Sequence, residues 1–141
     1  MPSCGESVLV VEDDENLAYV IALALAAAGF HIETAHDGRA GCILYSHHPT
    51  DWVVTDIKMP KLDGIHMMQC IRAINPAVKT VYLSGSLEEY SAALEKEVEQ
   101  FAVLVMAKPF SRENLIDRLR RTRAADSVDR RNLQQLSRAG K

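Results

Sequence analysis

The 141 residues include only three cysteines and five prolines, and 6% of them are aromatic. Cys4, Cys42 and Cys70 are odd in number, widely spaced and without a CxxC pair. That argues against a disulfide framework and a zinc site, and it suits a reducing cytoplasm in which the thiols are buried or incidental. No stretch approaches the ~20 apolar residues of a spanning helix. The longest, residues 17–30, is alanine-rich and follows an acidic cluster. A secretory signal would begin with basic residues, whereas the first charge here is Glu6, so neither export nor a membrane is expected. Internal repeats and low-complexity segments are also missing.

What remains is ordinary for a soluble globular chain: 48% hydrophobic and 25% charged residues, in a length that suits one domain with a full core. The net charge of −3 hides an asymmetry. Residues 1–111 hold 7 Lys/Arg against 15 Asp/Glu, and residues 112–141 hold 9 against 4. A basic end can touch nucleic acid. This one has no aromatic residue to stack on bases and no recognisable DNA-binding motif, so direct nucleic-acid binding is not expected of it.

Hydrophobic patterning gives five strand-then-helix units. Strands are expected at residues 7–12, 31–35, 51–55, 79–84 and 103–106. Helices are expected at 16–28, stopped by Gly29, at 38–47, at 64–74, at 86–99 with an acidic face, and after Ser111 as a cap. Strands alternating with helices imply a parallel α/β sheet, doubly wound with helices on both faces. Apolar periodicity fades after Arg123. The expected division is a domain over residues 1–123, with 124–141 a basic tail, a linker or an extension of the last helix.

In such a sheet all carboxyl strand ends share one edge, where open α/β sheets bind ligands. The first strand ends in Glu12-Asp13-Asp14, the third in Asp56, the fourth in Ser84 and the fifth in Lys108. Carboxylates held that close repel unless a cation joins them. Oxygen ligands with room for water suit Mg²⁺, and a lysine beside them suits an anion such as phosphoryl. The stretch VVTDIKMPKLDG, residues 53–64, places Asp56 on a rigid buried strand, and Pro60 and Asp63-Gly64 then turn the chain away.

At these residues the chain resembles the receiver domain of two-component response regulators over residues 6–123. The resemblance implies a flavodoxin-like five-stranded parallel sheet in the order 2-1-3-4-5. It also implies chemistry residue by residue: Asp56 as phosphoacceptor, Asp13 as a direct Mg²⁺ ligand, Glu12 beside it, and the backbone carbonyl of Lys58 as a further ligand. Ser84 and Lys108 are implied to contact the phosphoryl oxygens, with a cis Lys108–Pro109 bond. Lys58 and Ser86 fall where the family tunes phosphate lifetime. Two departures stand out: Gln100-Phe101-Ala102 in place of the usual Gly-Ala, and Val105 where an aromatic switch residue is usual.

The implied function is a cytoplasmic, phosphorylation-controlled signalling switch that takes phosphoryl from a sensor histidine kinase or phosphotransfer protein. It would be no dedicated enzyme, catalysing only its own phosphorylation and slow dephosphorylation. An effector domain or protein would act downstream, with a homodimer left open. The chain would be a stand-alone receiver or the front of a longer regulator. Two alternatives compete. A non-phosphorylated scaffold is disfavoured by the complete Asp13, Asp56, Ser84 and Lys108 set. An aspartyl-nucleophile phosphatase would need an acid two residues after Asp56, where Lys58 stands.

Overall fold

Valine-rich runs of five or six residues make the strands, and the computed structural model, which describes residues 5–128, places them side by side and parallel. They are β1 (Ser7–Val11), β2 (His31–Ala35), β3 (Trp52–Asp56), β4 (Lys79–Ser84) and β5 (Val103–Ala107). The order is 2-1-3-4-5, as expected. Register runs Thr34 to Val10 to Val54 to Val81 to Leu104 across the sheet. The central β3 is buried along its whole length, which is why it reads as a continuous apolar run, while the edge strand β2 is mostly exposed.

Helices α1 (Glu15–Ala27), α2 (Gly38–His47), α3 (Gly64–Ile74), α4 (Ser91–Gln100) and α5 (Arg112–Val128) alternate with the strands. Strand periodicity sends Leu9, Val11, Val53 and Tyr82 into one core with Tyr45 of α2, Met67, Met68 and Ile71 of α3, and Leu94 of α4. Val8, Val10, Val54 and Val81 are equally buried with the opposite parity, and α1 buries Ala18, Ile21 and Leu25. Helices therefore cover both faces of the sheet.

Aspartates start three of the helices. The carboxylates of Asp14, Asp37 and Asp63 accept from N–H groups in the first turns of α1, α2 and α3, at 3.0, 2.7 and 2.8 Å for the shortest bonds. Gly29, at φ 102°, ends α1: its N–H donates to the Ala26 carbonyl and that of Phe30 to Leu25, a closed C-terminal turn that favours a left-handed glycine. Ser111 caps α5 through the Asn114 N–H, and Asp117 pairs with Arg121 along the same helix. Residues 124–128 are helical, and 129–141 of the expected tail lie outside the described residues, as does Cys4.

The helix expected over residues 86–99 is two pieces. A 3-10 turn, Leu87–Tyr90, precedes α4, and Tyr90 at φ −111°, ψ 12° separates them. The Glu89 N–H bonds the Ser86 carbonyl, the tighter spacing common at helix starts. The acidic face also needs correction. Glu97 does not point to solvent: its carboxylate is buried, accepts from the Tyr82 hydroxyl of β4 and faces Arg72 of α3.

Candidate functional site

The sheet order reverses direction between β1 and β3, and the crevice beyond their carboxyl ends is where the site forms. Asp56 is the last residue of β3 and only 8% exposed. Its Oδ1 accepts from the Ile57 N–H at 2.8 Å and its Oδ2 from the Lys108 ammonium at 3.1 Å, so both carboxylate oxygens are held. Lys108 follows β5 and also donates to Glu12 Oε1 at 2.9 Å. Its peptide bond to Pro109 is cis, as expected.

Glu12 is fixed more completely than the sequence suggested. Its Oε2 accepts from the Asp14 N–H at 3.1 Å, and its own N–H donates to the Ala35 carbonyl. His36 Nδ1 lies 3.2 Å from the Glu12 carbonyl, a contact that requires the proton on that nitrogen. Burial pushes the Glu12 carboxyl above the ordinary range, Lys108 and the Asp14 N–H oppose the shift, and neighbouring Asp13 and Asp56 add to it. For Lys108, burial pulls downward, but the bonds to Glu12 and Asp56 outweigh it and the net shift is upward. Exposed Asp13 completes a cluster in which one carboxylate oxygen each from Glu12, Asp13 and Asp56 lies within 4.8 Å of the others. Asp14, grouped with them in sequence, spends its carboxylate on the start of α1 instead.

Ser84 is buried at the end of β4. Its hydroxyl accepts from the Ser86 N–H at 2.9 Å, and its carbonyl accepts from the Lys108 N–H at 2.8 Å, which ties the ends of β4 and β5 together. Ser84 and Lys108 line one open cavity of about 420 Å³ with Gly85 and Ser86. Lys58 is exposed in the loop after β3. Val105 pairs with Tyr82 across the sheet and lines an apolar cavity of about 410 Å³ with Leu87, Leu94 and Val98.

Gly64, read in the sequence as part of a turn, and Gly38, read as the start of a helix, shape the loop after β3. A Cβ on Gly64 would sit 2.3 Å from the Asp56 carbonyl oxygen, and one on Gly38 would sit 2.1 Å from that of Leu62. The start of α3 therefore lies directly against the backbone of the central aspartate, and the Gly64 N–H donates to the Ile57 carbonyl at 2.7 Å. Both glycines are needed for space. Lys61 in the same loop takes the left-handed conformation at φ 72°.

The donor set fits a hard divalent cation. Its side-chain ligands are all oxygen, and three carboxylates against one ammonium leave surplus negative charge that desolvates poorly without a counterion. A doubly wound sheet with an acidic trio, a hydroxyl and a lysine at its carboxyl edge defines an α/β protein of the chemotaxis-receiver class. The chain belongs to the response regulator receiver domain family, whose sequence model matches residues 8–120.

It is 34% identical over 115 residues to the transcriptional regulatory protein RprY of Bacteroides fragilis, covering 79% of this chain and 47% of RprY. It is 31% identical to the probable transcriptional regulatory protein TcrX of Mycobacterium tuberculosis, covering 81% and 48%. The chain thus spans about half the length of the curated relatives it matches. Among solved structures it resembles the receiver domain of Francisella response regulator 1452, with TM-score 0.69, 30% identity and coverage of 82% and 94%. It also resembles the receiver domain of sensor histidine kinase PA1611 from Pseudomonas aeruginosa, solved with magnesium coordinated in the active-site cleft, with TM-score 0.73, 26% identity and coverage of 84% and 97%. No helix among the described residues is long and apolar enough to cross a membrane.

Proposed function

We propose that the protein is a phosphorylation-controlled switch in which Asp56 accepts a phosphoryl group from a sensor histidine kinase or phosphotransfer protein. The observation that carries this is the shared grip of Lys108 on Asp56 and Glu12 beside exposed Asp13. An Asp56 carboxylate oxygen attacks phosphorus as the donor's P–N bond breaks, and the bonding pair stays on the departing imidazole. Transfer of this kind depends on positioning and charge stabilisation more than on covalent help. The Ile57 N–H and Lys108 supply the positioning. Lys108 holds Glu12 and Asp56 with two of its three N–H groups and turns the third to the incoming phosphoryl oxygens. The Ser84 hydroxyl, an acceptor toward the Ser86 N–H, donates its own O–H to them.

Glu12, Asp13, Asp56 and the Lys58 carbonyl are the residues that would hold Mg²⁺. When bound, the ion neutralises charge on the transferring group. Asp13 is the accessible member and Glu12 the buried one, which matches direct and supporting roles.

The switch region in this proposal is residues 1–123, with 124–141 a basic extension. The names of the relatives support an effector acting on transcription, in the same chain or in a partner. They lend no support to the expectation that this protein avoids nucleic acid. In Mg²⁺ with a small acyl phosphate, the protein should gain the mass of one phosphoryl group, and Asp56→Asn and Asp13→Asn should not. Absence of any adduct would favour the scaffold reading, continuous turnover the phosphatase, and full activity of Asp13→Asn would sink the metal assignment.

A further inference from the structure

Helices α2 and α3 meet along a close seam. A Cβ on Gly41 would approach Met67 Sδ to 2.6 Å, so the small residue lets the two helices touch. Cys42, the next residue of α2, directs its thiol at the Met67 carbonyl across this seam at 3.8 Å. Cys70 lies three residues beyond Met67, on the same side of α3 one turn along. Both thiols are free, and Cys70 acts on the Cys42 thiol through hydrogen bonding and charge. Cys42 is half-buried, whereas Cys70 is exposed. A cysteine that merely fills a core needs no exposed partner thiol beside it.

We propose that Cys42 and Cys70 form a reversible thiol–disulfide pair that bridges α2 and α3, with a peroxide as oxidant. The exposed Cys70 thiolate attacks the peroxide: an S–O bond forms, the O–O bond breaks, and hydroxide leaves. Cys42 sulfur then attacks Cys70 sulfur, forming the S–S bond as the S–O bond breaks, and the departing oxygen leaves as water with the proton from Cys42. The two thiols give up two electrons and the peroxide takes them. A thiol reductant restores both by exchange.

The order of the steps follows from the surroundings. Burial, with Cys70 adding to it, pushes the Cys42 thiol up to about 12, so Cys42 stays protonated and is the weaker nucleophile toward peroxide. Cys70 is the thiol that meets the oxidant, and Cys42 is the one that resolves it. Disulfides of this kind in reducing compartments are transient and redox-sensing. This inference does not depend on the phosphoryl-acceptor reading.

The test is made on the full chain carrying Cys4→Ser, which leaves two thiols. After hydrogen peroxide treatment and alkylation of what remains free, intact mass should fall by two hydrogens, with neither thiol alkylated and the chain monomeric. Peptide mapping should find Cys42 joined to Cys70, and a thiol reductant should reverse both observations. With Cys42→Ser added, Cys70 should stop at the sulfenic acid and be trapped by dimedone. If that variant does not fold, the Cys4→Ser result decides alone. Two alkylatable thiols after oxidation, oxygen added to Cys70 with Cys42 still free, or bridges only between chains would overturn the proposal.

Discussion

Substituting Arg72 tests the buried arrangement that holds α3, α4 and β4 together. Its Nη1 lies 2.8 Å from Glu97 Oε1, its Nη2 donates to Thr80 Oγ1 at 3.4 Å, and the guanidinium stacks 3.8 Å from the Phe101 ring centroid. The side chains of Arg72 and Glu97 are only 7% and 8% exposed. The arrangement is not ideal: Nη1 is out of hydrogen-bonding alignment with its neighbours, and Nε has no hydrogen-bond partner. Removing one member of a buried pair costs about 3–5 kcal/mol, because the other charge stays buried. Relief of the unpartnered Nε returns ~1 kcal/mol, and the Tyr82 hydroxyl still serves Glu97.

Arg72→Met should therefore cost about 2–4 kcal/mol, a large part of a domain's total stability. With a urea slope of about 2 kcal/mol/M, the unfolding midpoint should fall by about 1–2 M. The double variant Arg72→Met with Glu97→Leu removes both charges and should recover at least half of that loss. Equilibrium urea unfolding of the wild type, both single variants and the double closes the cycle, with an interaction of at least ~2 kcal/mol expected. A single-variant cost below ~1 kcal/mol, or additive losses in the double, would refute the reasoning.

Two further outcomes are expected. Gly64→Ala puts a methyl group into the Asp56 carbonyl, so it should destabilise by about 1–3 kcal/mol and slow phosphoryl uptake. Gly85→Ala, with nothing within 4 Å of the new carbon, should change stability little, and equal thermal midpoints for the two variants would contradict the packing argument. On forming a beryllofluoride adduct, amide shifts should concentrate in residues 84–100 and stay small at Val105. Valine is short and stiff at χ1, and cannot swing as an aromatic does. Shifts centred on β5 with α4 silent would show that expectation to be wrong.

Strand and helix positions were legible because each depends on local signals: valine runs, aspartate caps, and Gly29 as a stop. The alternation of strand and helix was enough to imply a parallel sheet, and a parallel sheet implies a shared carboxyl edge, so Glu12, Asp13, Asp56, Ser84 and Lys108 could be gathered before any coordinates. Periodicity says which residues share a face, but it cannot say what stands opposite that face. Glu97, read as one more acidic surface residue, is buried because Arg72 and Tyr82 from distant segments meet it there. Asp14 was indistinguishable from Asp13 in sequence, and only the start of α1 separates the helix cap from the accessible carboxylate. Gly64 looked like a turn residue and Gly38 like the start of a helix, and the structure makes both points of backbone contact. Local chemistry chose the elements and their order. Which charges are paired, and which helices touch, is decided only when segments far apart in the chain are packed to contact, because those interactions have no short-range signal in the sequence.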